Sequence, residues 1–433
     1  MLNSLIVFAA VTSVLLAAFT GQMAGLTDAA VSSARDAVDL ALGLVGLMAF
    51  FLGLMRVAEE AGLLSQLARL IGPMMRRLFP EVPANSPAMS AMILNIASNM
   101  LGLGNAATPF GIKAMEELDK LNTSRGTATN AMALFLAINT SAVAILPSGV
   151  VALRASVGSE NAMGIFLPTW FASGLATVVG ITAALLLSKF PRYRQSHATT
   201  IHTDILESPS GASATMIDSP ASKAPEPRRQ LVSRLFWLGL SVALLLFLWD
   251  NRHQSTIELF SEISSAWMLP TLIAALILYG WVRRVRVYDS LVEGAKQGFQ
   301  VALRIIPYLV AILVVIGMLR ASGAVDLLTT GLAPLTGMIG LPAEALPMAL
   351  LRPLTGSGAF AIMSEAMTTY GADSLIGYMV STFQGSTETT FYTLAVYYGA
   401  IGIKHTRHTV PACLLADTAG ILGAVFIVNL MFG

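Results

Sequence analysis

The sequence predicts an all-α integral membrane protein built from two inverted-topology repeats, each carrying a broken or re-entrant helical hairpin. Three observations point there: an extreme apolar composition, uncharged runs long enough to cross a bilayer, and a serial correspondence between the two halves of the chain. Of the 433 residues 55% are hydrophobic and 12% charged, with a mean hydropathy of +0.70, whereas soluble proteins carry about 25% charged residues. Residues 1–27, 82–112, 126–153 and 161–188 contain no Asp, Glu, Lys or Arg, and each exceeds the ~20 residues that span a bilayer core as a helix. Lipid offers the backbone no hydrogen-bond partners, so these runs are expected to be helical.

Composition also excludes function classes. A net charge of +1 argues against nucleic acid as a partner, which would need a basic face. The single cysteine, Cys413, excludes an internal disulfide and a thiolate metal site. No Gly-rich phosphate loop, HExxH, GxSxG or CxxC occurs, so no enzyme activity and no cofactor are expected. His405 and His408 have a spacing that metals accept, but no third ligand lies nearby, and "KHTRH" reads as a cytoplasmic basic anchor.

Three regions follow from the pattern. Residues 1–190 form a first membrane repeat, 191–234 a Ser/Pro-rich flexible linker, and 235–433 a second membrane repeat. The run Met1–Gly21 has no Lys or Arg ahead of its apolar core and no small-x-small cleavage site, so it is expected to stay as a transmembrane helix. Arg192, Arg194, Lys223, Arg228, Arg229 and Arg234 flank the linker and place it in the cytoplasm. In the second repeat, crossings are expected at about 235–250 and 266–282, then a long helix whose amphipathic start "VYDSLVEGAKQGFQ" is interfacial and whose end spans the membrane, kinked at Pro307.

The halves correspond in order. "DLALGLVGLMAFFLGLMR" (Asp39–Arg56) answers "LRIIPYLVAILVVIGMLR" (Leu303–Arg320), and Asn99–Leu118 answers Arg352–Met367. "LAINTSAVAILPSGV" (Leu136–Val150) likewise answers "FQGSTETTFYTLAVY" (Phe383–Tyr397). Basic residues then separate the copies. Arg56, Arg69, Arg76 and Arg77 follow the first long helix, but only Arg320 follows the second; Lys404, His405, Arg407 and His408 have no clustered counterpart near Arg154 and Glu160. Opposite charge bias on equivalent loops is the mark of copies inserted upside-down to each other.

Polar residues interrupt both copies in mid-span. Gly102 and Gly104 should stop a helix and restart another, with Thr108 as N-cap and Pro109 at the first helical position. Gly356, Ser357 and Gly358 should do the same in the second copy. Broken backbone is tolerated in a membrane only beside protein or a cavity, and helix N-termini aimed into that cavity suit an anion or a polar ring substituent. Glu388, ringed by Ser386, Thr387, Thr389 and Thr390, aligns with Asn139, Thr140 and Ser141. An intramembrane carboxylate is a functional-site hypothesis by default; Glu388 is expected to be buried, carrying a proton or helping to hold a sodium ion, with Arg352 as its ion-pair partner. Arg304 and Asp417 read as lone charges near span ends, free to snorkel.

The stretches "ASNMLGLGNAATPFGIKAMEELDKLN" (Ala97–Asn122) and "RPLTGSGAFAIMSEAMTTYGADSLIGYMVSTFQGSTETTFYTLAVYYGAIGIKHTRH" (Arg352–His408) resemble bacterial spore maturation proteins A and B respectively. The chain thus resembles a natural fusion of the two across the linker. The resemblance implies the nucleoside recognition or Gate family, which also supplies the gates of FeoB-type ferrous iron transporters and is related to concentrative nucleoside transporters. It implies a transport-like domain in the bacterial inner membrane.

Residue and family readings together predict a secondary transporter of a small polar or anionic solute. Asn99, Asn105, Thr108, Asn139, Thr355, Ser357, Gln384, Ser386 and Thr387 would line the substrate site. Glu388 would couple transport to protons or sodium, and Arg352 would meet an anionic group or neutralise Glu388. The expected partners are the lipid bilayer and the solute, with a homodimer compatible with such folds. Two alternatives come from other classes: a non-transporting scaffold or regulator of envelope or spore maturation, and a lipid-handling protein.

Overall fold

The computed structural model describes residues 2–102, 104–141, 144–145, 147–193, 227–253, 259 and 262–433. The described residues are helical throughout, apart from turns and one isolated bridge between Thr127 and His405. The first half contains α1 (Leu2–Thr20), α2 (Met23–Glu60), α3 (Leu63–Leu78), α4 (Pro87–Met100), α5 (Gly104–Lys120), α6 (Asn130–Thr140), α7 (Ser148–Ser156) and α8 (Phe166–Leu187). The second contains α9 (Pro227–Asp250), α10 (Met268–Val282), α11 (Val287–Ala321), α12 (Ala324–Gly337), α13 (Leu346–Leu351), α14 (Gly356–Tyr370), α15 (Leu375–Ser386), α16 (Thr390–Ala400) and α17 (Thr409–Phe432). Helices α2, α8, α9 and α17 are long and apolar enough to cross a membrane. The chain is a multi-pass membrane protein.

From α2 to α8 and from α11 to α17 the same series recurs. A helix of 38 or 35 residues comes first. It is followed by a short helix entered through a left-handed glycine, Gly62 (φ 86°) or Gly323 (φ 78°), a conformation that only glycine adopts without strain. A pair of helices comes next. Then comes a helix of 11 or 12 residues capped by a hydroxyl, Thr129 accepting from Met132 N–H and Ser374 from Gly377 N–H. That helix breaks, restarts as α7 or α16, and is followed by a helix of 22 or 24 residues.

Equivalent helices pack on each other and run antiparallel. A Cβ on Gly294 would lie 2.6 Å from Arg56 Cβ, one on Gly298 2.5 Å from Ala49 Cα, and one on Gly317 in contact with Ser33, so residue numbers fall along α2 as they rise along α11. The α8/α17 pair behaves alike: Gly180 meets Ala416, Gly420 meets Ala176, and Gly423 meets Ala172 and Leu175. Small residues allow this approach. Apolar side chains gain little by leaving lipid, so close backbone packing has to hold membrane helices together.

Local starts and stops differ from the sequence expectation in three places. Helix α4 ends at the expected glycines, but α5 restarts at Gly104, so Pro109 lies inside the helix and Thr108 is not its N-cap. In the second copy the interruption is Arg352–Leu354; Thr355 is the N-cap, accepting from Gly358 N–H at 3.1 Å, and Gly356–Gly358 form the first turn of α14. A side-chain cap at Thr355 fixes that start, whereas the flexible backbone at Gly104 lets α5 begin earlier. Helix α9 begins at Pro227, a favoured first helical residue, so residues 227–234, read as linker, are its opening turns. The remainder of the linker from 194 to 226 lies outside the described residues.

Candidate functional site

The breaks of the two copies meet. After α6 ends at Thr140 and α15 at Ser386, Thr387 runs extended (φ −139°, ψ 161°) and Glu388 N–H donates to the Thr140 carbonyl at 2.7 Å. Each broken helix thus satisfies a backbone group of the other, which answers the cost of leaving such groups bare in lipid. Asn99 Nδ2 donates to Asn139 Oδ1 at 2.9 Å, and Asn139 Nδ2 to the Phe135 carbonyl at 2.9 Å. Ile145 N–H, within the first break, donates to the Met100 carbonyl at 2.6 Å. The ends of α4 and α6 are thereby clamped together.

Arg352 occupies the centre of the second break. Only 2% of it is exposed. Its Nη2 donates to the Gln384 carbonyl at 3.1 Å and to the Thr387 carbonyl, and its Nη1 to Thr389 Oγ1 at 3.3 Å. The carbonyls are available because α15 stops there; an intact helix would have used them. The carboxylate partner is more distant: Glu388 Oε2 lies 3.7 Å from Arg352 Nη2. The Glu388 side chain is 53% exposed, which corrects the expectation that it is buried. Its backbone is held by Thr140, while the extended strand turns its side chain outward.

Asp417 is the residue that sequence reading misplaced. Far from snorkelling at a span end, it sits inside α17 with 2% exposure, and its Oδ2 accepts from Thr390 Oγ1 at 2.6 Å. Thr390 adjoins Thr389, whose hydroxyl accepts from Arg352 Nη1 at 3.3 Å, so Asp417 and Arg352 hold neighbouring residues of the second break. A mid-helix Asp in "CLLADTAGILGAVF" was the available signal, since a carboxylate eight residues into an apolar helix cannot reach the interface.

Other expected site residues are distributed around this centre. Gly356 packs against Thr389, a Cβ there falling 3.0 Å from Thr389 Oγ1. Ser386 and Thr387 are buried, and Gly420 of α17 packs on the Thr387 methyl. Gln384 Oε1, Thr387 Oγ1, Thr169 Oγ1 and Arg352 Nε are buried without a hydrogen-bond partner among the described residues, although buried polar atoms are as a rule satisfied. Thr355 is used by its cap, Ser357 is half-buried in the first turn of α14, and Thr108 is half-buried in the second turn of α5. The Asn105 and Arg304 side chains lie outside the described residues. A connection that sequence reading missed is Tyr397 of α16, whose hydroxyl accepts from Asn95 Nδ2 at 3.0 Å and lies against Gly111 of α5.

The two halves are latched at two further points. Arg154, at the end of α7, is fully buried; its Nη1 donates to the Ala372 carbonyl (2.6 Å) and its Nη2 to Asp373 Oδ1 (2.6 Å), ahead of α15. Arg407, after α16, donates through Nη1 to the Ala128 carbonyl (2.9 Å) ahead of α6, and through Nε to the Tyr193 carbonyl (2.8 Å). A cavity of about 390 Å³ lies beside this centre, between α1, α11, α12, α13 and α14 and reaching Thr355, with apolar walls and Arg320 paired to Glu365 at its edge.

The nucleoside recognition (Gate) family profile matches residues 41–156 and 302–404, half of the chain and both sets of broken helices. The chain belongs to the nucleoside recognition family. It is 45% identical over 176 residues to spore maturation protein B of Bacillus subtilis (strain 168), covering 98% of that protein and 41% of this chain. It is 37% identical over 195 residues to spore maturation protein A of the same organism, covering 97% of that protein and 45% of this chain. This member of the family is a fusion of parts homologous to both. No solved structure matches.

Proposed function

We propose that this nucleoside recognition family protein is a secondary transporter of a small polar or anionic solute, bound where the broken helices of the two halves meet. The observation that carries the reading is Arg352: a buried guanidinium held by the carbonyls of a broken helix, with its carboxylate partner at 3.7 Å and more than half exposed. An anionic group can displace so loose a partner while the carbonyls keep the guanidinium in place. The unpartnered Gln384, Thr387 and Thr169 oxygens supply acceptors for hydroxyl or amine donors on the solute, with Asn99, Asn105, Thr108, Asn139, Thr355, Ser357 and Ser386 completing the lining. Glu388, released from Arg352 as the solute binds, links solute binding to the coupling ion, a proton or sodium.

We read the antiparallel pairs α2/α11 and α8/α17 as inverted-topology repeats, with α4/α5 and α13/α14 as re-entrant hairpins and the site near the bilayer midplane. By the positive-inside rule we read the linker ahead of α9 as lying on the cytoplasmic face of a bacterial inner membrane. A role in spore maturation would follow from the two relatives in an organism that sporulates. A second reading, lipid handling, has the apolar 390 Å³ cavity in its favour, since its walls suit an acyl chain.

Thermal unfolding of the purified protein, wild type beside Glu388→Gln, separates the readings. Nucleosides, dicarboxylates, amino acids and phospholipids are tested at varied pH and sodium. A solute at about 100 times its dissociation constant adds roughly 2.7 kcal/mol to apparent stability. The transporter reading expects one polar class to stabilise wild type and to do so at lower concentration in Glu388→Gln, which lacks the carboxylate competing for Arg352. Stabilisation by phospholipid alone, equal in both proteins, would transfer the assignment to the cavity.

A further inference from the structure

The proposed site contains two carboxylates, and the structure treats them differently. Glu388 is exposed and loosely paired. Asp417 is buried in the middle of α17, one oxygen held by the Thr390 hydroxyl and the other, Oδ1, buried without a hydrogen-bond partner among the described residues. A charged carboxylate in such a place would leave half of its hydrogen-bonding capacity unmet, which is expensive in a low-dielectric interior. A neutral carboxylic acid is far cheaper to bury there than a carboxylate.

The surroundings favour a proton over a metal cation as the occupant. The elements packed on α17 at this level are α6, α8, α15 and α16, and among their residues there is no Asp, Glu, Lys or Arg. The ionisable groups nearby are Arg352 and Glu388 from the breaks, Cys413 one turn earlier on α17, and the tyrosines Tyr392, Tyr397 and Tyr398 of α16. Thr390 is the side chain hydrogen-bonded to Asp417 among the described residues, whereas a hard metal cation takes about six or more oxygen ligands; a proton needs a single oxygen. Thr390 is also the first residue of α16, so a change of charge at Asp417 acts directly on the half-helix that carries the break.

We propose that Asp417 is the proton-binding group of this transporter, taking a proton on Oδ1 from water admitted on one side and releasing it to the other, with Arg352 as the switch it controls. The inference rests on the transporter reading. When Asp417 is ionised it shares Arg352 with Glu388, and the site has no charge left for an anion. When Asp417 is protonated, Arg352 is balanced by Glu388 alone, and an anionic group can replace Glu388 there. Proton and anion therefore bind together, and Glu388 is the partner that moves aside.

Infrared spectroscopy of the purified full-length protein tests this without any solute. As pH is lowered from about 9 to about 5, a protonated buried carboxyl shows a carbonyl stretch distinct from that of carboxylate. The expected result is a titrating band that Asp417→Asn abolishes and Glu388→Gln retains. Thr390→Val, which removes the one hydrogen bond to the ionised form, is expected to shift its midpoint to higher pH, and it keeps the test open where Asp417→Asn fails to fold. A band lost in Glu388→Gln and kept in Asp417→Asn would overturn the assignment, as would a wild-type spectrum with no titrating acid or a midpoint unmoved by Thr390→Val. A protein stabilised by no solute could still show the band, so failure of the transporter reading and failure of this one are told apart.

Discussion

The two arginine latches occupy related places in the two halves yet are built differently. Each reaches from beyond a broken helix to the carbonyl ahead of the other half's broken helix, Arg154 to Ala372 and Arg407 to Ala128. Arg154 adds Asp373, Ser381, Ser159 and the Asn161 carbonyl, and its guanidinium lies 4.3 Å over the Tyr378 ring. Arg407 has carbonyls alone, with the chain itself adding Lys404 N–H and His405 N–H to Gly126. A two-fold arrangement of backbone therefore need not give equal strength at its two ends. In a transporter that opens alternately, the Arg407 end would be the easier to open.

Truncating each arginine tests the asymmetry most strongly. Arg154→Ala removes a fully buried cation and leaves the Ala372 carbonyl without its donor, while Asp373, one-third exposed, keeps its bonds from Ser159 and the Glu160 N–H; the expected loss is about 2–4 kcal/mol. Arg407→Ala, at a partly exposed site with neutral acceptors, is expected to cost about 1–2 kcal/mol. Thermal unfolding in one detergent ranks them. Equal losses, or a larger one for Arg407→Ala, would show that the ends are matched.

How much of this was legible in the sequence follows from what each feature depends on. Repeat order, long helices and paired breaks were readable because they rest on apolar run length and on glycine and hydroxyl positions, which are local. Arg352 with Glu388 was readable as a pair because a buried cation in a membrane demands a carboxylate, although the side to which Glu388 turns was not, being set by the Glu388 N–H bond to Thr140 in the other half. Asp417 and Arg154 escaped for the same reason: their partners Thr390 and Asp373 come from other elements. Nothing in a one-dimensional pattern brings those elements together.

The two antiparallel helix pairs differ in the same sense. A Cβ at Gly298 of α11 would fall 2.5 Å from the Met48 carbonyl oxygen and Ala49 Cα, backbone atoms that cannot rotate away. At Gly180 of α8 the nearest atom is the Ala416 methyl at 3.0 Å. Gly298→Ala is therefore expected to destabilise by about 1–3 kcal/mol through overpacking, and Gly180→Ala by less. Unfolding of the two variants side by side checks whether α2/α11 is the tighter seam; a larger loss for Gly180→Ala would reverse that order.

The smallest effect should come from His408, which caps α17 beside the looser latch. Its ring is fully buried and neither nitrogen has a partner among the described residues. Burial, and then the neighbouring Arg407 charge, push its pKa down to about 4, below the ~6.5 of an unfolded chain. Between those values the unfolded state binds the proton that the folded state refuses, so stability is full above about pH 6.5 and falls as pH drops toward 4. The loss from about pH 7.5 to about pH 5 is expected to be on the order of 1–2 kcal/mol. His408→Phe keeps the ring volume and has nothing to titrate, so its melting temperature should decline less across that range than that of wild type. Parallel pH curves for the two proteins would mean that His408 is not the group whose protonation loosens this end, and that the weakness of the Arg407 latch lies in its neutral acceptors alone.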